Sequence, residues 1–234
     1  MSSAAAAAQS ALALQRPIQT LSVGCCVAMA MAMLPSAYQG ELFAWHPLMF
    51  TLGFLGFMTE GIMAAVRFRP NEGSTRVAAI TNHALIQCAA TACCCLGFYA
   101  IFHNKNLKGK QHFTSLHGKV GLLTFCLALA SPLLGALSFR RLGLVQRFPE
   151  PWQPRLKWLH RLISVYAYVT AMVAMQLPLP HRAVFTGVWC RAWQAAVAAL
   201  AGCMLYVLRG RISGVRMLPS AAASAPAFQT PKNL

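Results

Sequence analysis

The sequence predicts an all-α membrane protein with six transmembrane helices, the middle four forming a bundle. Three observations lead there. The 234-residue chain is 57% hydrophobic and 10% charged, a composition suited to lipid surroundings. Its apolar residues fall into six blocks, each near the length of about 20 helical residues that crosses a hydrocarbon core of about 30 Å. Each of the four inner blocks carries a histidine at or beside its start, and neither outer block has one.

The first block, Ile18–Ala37, follows Arg16 and ends in the small residues Ser36 and Ala37. That layout also suits a signal peptide, but the length is that of a spanning helix. Residues 1–17 are Ala-rich and read as an N-terminal cytosolic arm: a short helix, a disordered segment or a targeting signal. The second block, Pro47–Val66, opens after His46 in "FAWHPLMFTLG"; the third, Ile80–Phe102, opens with His83 in "ITNHALIQ". His117 introduces the fourth, Lys119–Phe139, in "FTSLHGKVGLL", and His160 introduces the fifth, Leu159–Leu177, in "LKWLHRLISVY". The sixth is Ala192–Leu208. Short loops leave no room for a soluble domain, so one helical domain spans 18–210 and the Pro/Ala/Ser-rich stretch 211–234 reads as a disordered cytosolic tail.

Charge sets the orientation. With the N-terminus inside, fourteen of the 20 basic residues fall on the cytosolic side, including Arg67, Arg69, Arg76, Arg140, Arg141, Arg147, Arg155, Lys157, Arg161 and the tail residues Arg211, Arg216 and Lys232. Six fall outside: Lys105, Lys108, Lys110, Lys119, Arg182 and Arg191. The positive-inside rule therefore places both termini in the cytosol of a multi-pass protein. The net charge of +16 is a topology signal on this reading and implies no nucleic-acid partner.

Most of the nine cysteines lie in apolar blocks, where Cys behaves as a small hydrophobe. Cys93, Cys94 and Cys95 point about 100° apart on a helix and cannot converge on one metal. No Cys-x-x-Cys-His occurs, which excludes covalent haem attachment of the c type by motif.

Histidine is costly in hydrocarbon, so four at helix starts call for a use. Successive helices alternate in direction, which puts His46 with His117 near the outer surface and His83 with His160 near the inner one. A histidine pair across two helices suits a haem iron lying between them. A structural zinc site wants four ligands, and each level offers two histidines with no carboxylate or suitable cysteine beside them. Two non-covalent b haems, one per level, fit better. Set about 5 Å inside each surface of a core of about 30 Å, their irons are about 20 Å apart, and with both axial positions filled by protein they suit electron transfer.

These residues carry a resemblance to the cytochrome b561 family of transmembrane ascorbate-dependent reductases, and to its short six-helix members in particular. It runs over about residues 18–210 and is strongest in "LFAWHPLMF…FMTEG", "FHNKNLKGKQHFTSLHGKVGLL" and "LKWLHRLIS". The resemblance implies the same ligand pairs, His46 with His117 and His83 with His160. It also implies an oxidoreductase activity: cytosolic ascorbate reduces the inner haem, the electron passes to the outer haem, and monodehydroascorbate or a ferric chelate accepts it in the lumen or outside the cell. The membrane is an endomembrane (ER, vesicle or vacuole) or the plasma membrane, lipid is a partner, and a homodimer is implied.

An anionic donor calls for cations near His83 and His160, and Arg67, ending helix two, and Arg155, one turn before His160, are the preferred contacts. The resemblance departs from larger relatives in two places. They carry a lysine shortly before the helix-three histidine, where this chain reads "RVAAITNH" with Arg76 seven residues upstream, and they carry an aromatic soon after the histidine of "SLHGK". On the outer side His103 resembles the family histidine of the acceptor site, with Lys105, Lys108, Lys110 and His112 around it. Lys119 is placed to pair with a haem propionate or to snorkel to the headgroups. Glu60, the one carboxylate well inside an apolar block, falls about 21 Å along the helix from His46, at the inner level, as a proton-coupling group, a support for the inner site, or a neutral hydrogen-bonded acid. Asn82 and Gln87 are placed to hydrogen-bond around His83. Competing readings are a haem- or metal-binding transporter without redox turnover, for which Pro132 is the only proline deep in a central block, and a structural membrane protein.

Overall fold

The computed structural model describes residues 3–67, 72–177 and 184–215, with side chains over 13–67, 72–177 and 184–209. Arg69, Arg182 and the tail from Arg216 onward, Lys232 included, lie outside the described residues, while 211–215 continue the last helix. Six long helices carry the described fold: α1 Ser3–Tyr38, α2 Leu42–Arg67, α3 Gly73–Leu107, α4 Leu116–Ser138, α5 Trp152–Gln176 and α6 Gly187–Val215. Five of them, all but α5, are long and apolar enough to cross a membrane. α5 has 25 residues, but Arg155, Lys157, His160 and Arg161 fall in its first ten positions and dilute its apolar content. Exposed apolar side chains such as Met31, Leu85, Leu96 and Leu133 face outward all round, the surface expected of helices in lipid. The protein is an integral membrane protein.

Helices outrun the apolar blocks that announced them. α3 has 35 residues, well beyond the about 20 that span hydrocarbon. Hydropathy marks where lipid ends, whereas a helix continues into water until a breaker or turn stops it. His83 therefore lies ten residues past the start of α3 at Gly73, and His160 eight past the start of α5 at Trp152, rather than in the opening turns. His117 does sit in a first turn: Ser115, with extended backbone, caps α4 and its hydroxyl accepts the amide of Gly118 at 3.1 Å. The Ala-rich arm continues α1 without a break from Ser3.

Each helix packs on its neighbours in sequence, and α1 packs on α6, which closes the ring. α2 is the central element: 56% of its apolar stretch is buried, against 22% for α3 and 11% for α4. Phe54, Leu55, Met58 and Met63 of α2 form the middle of the core, with Ala90 and Cys94 of α3 and Tyr168 and Met172 of α5. α2 is not uniform, because Thr51–Met58 is π-helical between two α-helical ends. A π segment shifts the backbone ladder to i→i+5 bonds, as from the Thr59 amide to the carbonyl of Phe54, and some of its carbonyls also meet side-chain donors. Ser22 donates to the carbonyl of Leu55 at 2.5 Å, Thr59 to that of Phe54 at 3.1 Å, and the Cys26 thiol approaches that of Thr51 at 3.9 Å.

Candidate functional site

The four helix histidines share one arrangement. Nδ1 of His46 on α2 lies 3.3 Å from the carbonyl oxygen of Gly97 on α3, and Nδ1 of His83 on α3 lies 2.8 Å from that of Gly61 on α2. Nδ1 of His117 on α4 lies 2.9 Å from the carbonyl of Ala174 on α5, and Nδ1 of His160 on α5 lies 2.9 Å from that of Ser131 on α4. A carbonyl can only accept, so Nδ1 carries the proton in each ring and the lone pair sits on Nε2. A backbone carbonyl holding the second nitrogen is the usual support of a metal-ligating histidine. Within each hairpin, α2–α3 and α4–α5, the two helices thus fix one another's histidines reciprocally.

His46 and His117 are brought together: their ring centres are 6.0 Å apart with planes at 83°. Two imidazoles on opposite sides of one metal, through bonds of about 2 Å, have ring centres about 6 Å apart. Both rings line a cavity of about 410 Å³, within the range of about 300–1,000 Å³ seen for small-molecule and cofactor sites. Phe50, Phe54, Phe98, Leu122 and Trp193 wall its depth, and Lys105, Lys110 and His112 also line it. Gly121 lines the same cavity, and a Cβ there would meet nothing within 4 Å. A flat apolar macrocycle with two axial nitrogens fits this site.

His83 and His160 form the second pair, near enough to interact electrostatically. Gly135 lies directly against His160: a Cβ there would be 3.1 Å from Cε1 of the ring. Gln87 lies over Gly61, whose carbonyl holds His83. Among the described residues no three or more His, Cys, Asp or Glu side chains are placed to hold a metal ion. The histidines meet in twos, a number that suits a porphyrin iron ligated by protein on both sides.

Glu60 precedes Gly61 and so lies at the His83 level. It is neither isolated nor sealed from solvent: Arg67 pairs with it, Gln19 donates to it at 3.2 Å, and the paired side chains are about a third exposed, 36% and 32%. Arg67, a preferred donor contact, is therefore partly engaged. Arg155 stacks its guanidinium 5.1 Å from the Trp152 ring centre. A cavity of about 630 Å³ between the α4–α5 loop and the start of α5 is lined by Arg140, Lys157 and Glu150, with Gln146 and Gln153; Arg67 and Arg155 are not among its walls. Partial burial first, then the positive charges of Arg140, Arg76 and Arg161, push the Lys157 ammonium below its ordinary range.

At the other end, His103 stacks on Tyr99 at 5.6 Å and Lys108 pairs with Glu41 at 3.6 Å. His112 stacks on Phe102 at 4.1 Å, with Nε2 2.8 Å from Asn106 Oδ1. His103, Lys108 and Lys119 do not line the histidine cavity; Lys105, Lys110 and His112 do. Sequence reasoning missed the carbonyls of Gly61, Gly97, Ser131 and Ala174, because a main-chain acceptor leaves no mark in the sequence. All four belong to glycine, serine or alanine in a helix, a weak signal for close approach.

A profile of the family "Eukaryotic cytochrome b561" matches residues 45–186, a span that includes all four histidines. The chain is 29% identical over 164 residues to Transmembrane reductase CYB561D2 of Mus musculus, which covers 67% of this chain and 69% of the relative. It is 27% identical over 161 residues to the Homo sapiens protein of the same name, with the same coverage. The Bos taurus protein of that name is 32% identical over 89 residues, 36% of this chain and 38% of the relative.

Proposed function

Because the chain belongs to the eukaryotic cytochrome b561 family, whose members bind b-type haem, we propose that it moves electrons across a membrane from cytosolic ascorbate to monodehydroascorbate or ferric iron on the luminal or extracellular side. The observation that carries this reading is the common setting of His46, His83, His117 and His160, each with Nδ1 on a carbonyl of the partner helix. It supports two haems, one between His46 and His117 and one between His83 and His160. Haem b with two protein nitrogens supplies a one-electron centre with no open position for O₂. The names of the relatives, transmembrane reductases, support the same direction.

The chain's own residues define the two faces. At the His83 end, Arg76, Arg140 and Arg161 lie within electrostatic reach of Lys157, and the four cations attract an anionic donor such as ascorbate. Arg67 and Arg155 stand at the same end and add to that field, Arg67 being anchored by Glu60. At the His46 end, His103 and Lys108 meet the acceptor, an anionic radical or chelate rather than a free ferric ion. α5 crosses the membrane as the sixth span alongside α4, both termini are cytosolic, and the protein pairs with a second copy in an endomembrane or the plasma membrane.

An optical titration of the purified protein with ascorbate, with haem per polypeptide measured in wild type, His83→Ala and His117→Ala, tests the reading. Two low-spin b haems reduced by ascorbate, with one lost in each variant, are expected. Absence of haem, or haem unaffected by either change, would overturn it.

A further inference from the structure

We propose that Lys105 and Lys110 clamp the two propionates of the haem between His46 and His117, fixing it with its apolar edge inward; this rests on the function proposed above. The cavity is apolar at depth, where Phe54, Phe98 and Trp193 lie, and no Asp or Glu is among its walls. Its two cationic side chains are Lys105 and Lys110. Haem b is an apolar disc with two carboxylates on one edge, so burying its ring leaves both carboxylates to be met by donors or water. Two lysines meet two carboxylates.

The other cations at this end are committed or misplaced. Lys108 is paired with Glu41 at 3.6 Å, and Lys119, exposed on α4, lies outside the cavity walls. Lys105 donates to the carbonyl of Gln111 at 3.0 Å, which anchors its ammonium and leaves two of its three N–H groups for other acceptors. That bond ties the end of α3 to the loop carrying Lys110, so both cations are held at one lip. Lys105 is also within electrostatic reach of His46. A charge-assisted bond to each propionate strengthens haem retention and favours the reduced iron, which carries one positive charge fewer.

The test uses the full-length holoprotein in detergent. Haem transfer to excess apomyoglobin and a spectroscopic redox titration are recorded for wild type, Lys105→Gln, Lys110→Gln, the double variant, and Lys105→Arg with Lys110→Arg. The expected result is loss of one haem about tenfold faster in the double variant, with the midpoint potential of that haem lowered and that of the other unchanged. Each single variant falls between, and the arginine pair restores both readouts. Unchanged haem loss and potentials, with only a raised KM for an anionic acceptor, would overturn the proposal and assign the lysines to substrate. Wild-type protein without haem would instead overturn the function on which the clamp rests.

Discussion

His160 on α5 hands its Nδ1 proton to the carbonyl of Ser131 on α4 at 2.9 Å, and it does so across the bare α-carbon of Gly135. The other hairpin repeats the device, with the carbonyl of Gly97 taking Nδ1 of His46. In both places the imidazole is positioned by main chain, so small residues nearby decide whether it can reach.

That relationship ranks three glycine substitutions. A Cβ at Gly97 would be 2.9 Å from the ring of Phe50 and 3.1 Å from Cβ of Met49, and Phe50 is itself held between His46 and Phe54, at 5.0 and 5.8 Å. A Cβ at Gly135 would be 3.1 Å from the His160 ring, which must shift off Ser131. A Cβ at Gly61 would meet the amide of Gln87 at 2.5 Å, but that is the end of a flexible side chain. Gly97→Ala and Gly135→Ala should each destabilise by about 1–3 kcal/mol, each perturbing the spectrum of its own haem. Gly61→Ala should cost less than about 1 kcal/mol. Thermal unfolding in detergent with parallel absorption spectra reads both effects, and Gly61→Ala as damaging as the other two would refute the ranking.

The histidines were legible because a polar ring in an apolar block stands out, and their pairing followed from alternating helix direction. Family motifs then named the same pairs. What holds the rings was not legible, since the carbonyls of Ala174 and Ser131 are chemically like every other carbonyl until packing places a ring beside them. Nor was the π segment: "TLGFLGFM" has the composition of any apolar helix, and the side chains that meet its carbonyls come from Ser22 and Cys26 of α1 and from Thr59. The ion pair of Glu60 with Arg67 was also hidden. Seven residues separate them, two helical turns, and only the long reach of arginine closes the gap.

Thr59 is the best probe of the π segment. Its hydroxyl gives its one proton to the carbonyl of Phe54, so the Tyr168 hydroxyl, 3.0 Å away, must be the donor in that pair. Both residues are buried at 1% exposure. Tyr168→Phe removes one hydrogen bond and leaves Thr59 its donor role, a loss of about 1 kcal/mol. Thr59→Val removes both side-chain bonds and strands the phenol of Tyr168, at about 1–3 kcal/mol, while the carbonyl of Phe54 keeps the backbone N–H of residue 59. The valine variant should therefore unfold at a clearly lower temperature than the phenylalanine variant. Equal losses would mean that the Tyr168 hydroxyl finds another acceptor.

Lys157 gives a pH signature at the donor end. Burial and the neighbouring charges of Arg140, Arg76 and Arg161 hold its pKa below the ordinary 10.5, so it loses its charge at a lower pH than a free lysine. A cation helps an anionic donor only while protonated; KM for ascorbate should therefore rise as pH climbs through the lowered pKa, below the ordinary 10.5. Arginine stays charged throughout, so Lys157→Arg should flatten that rise while matching wild type at neutral pH. Lys157→Gln should raise KM by about two- to fivefold at neutral pH, the size expected of one partly exposed charge, and the effect should shrink as salt is added. Reduction rates measured against ascorbate concentration across this pH range decide the matter, and a rise that persists in Lys157→Arg would assign it to another group.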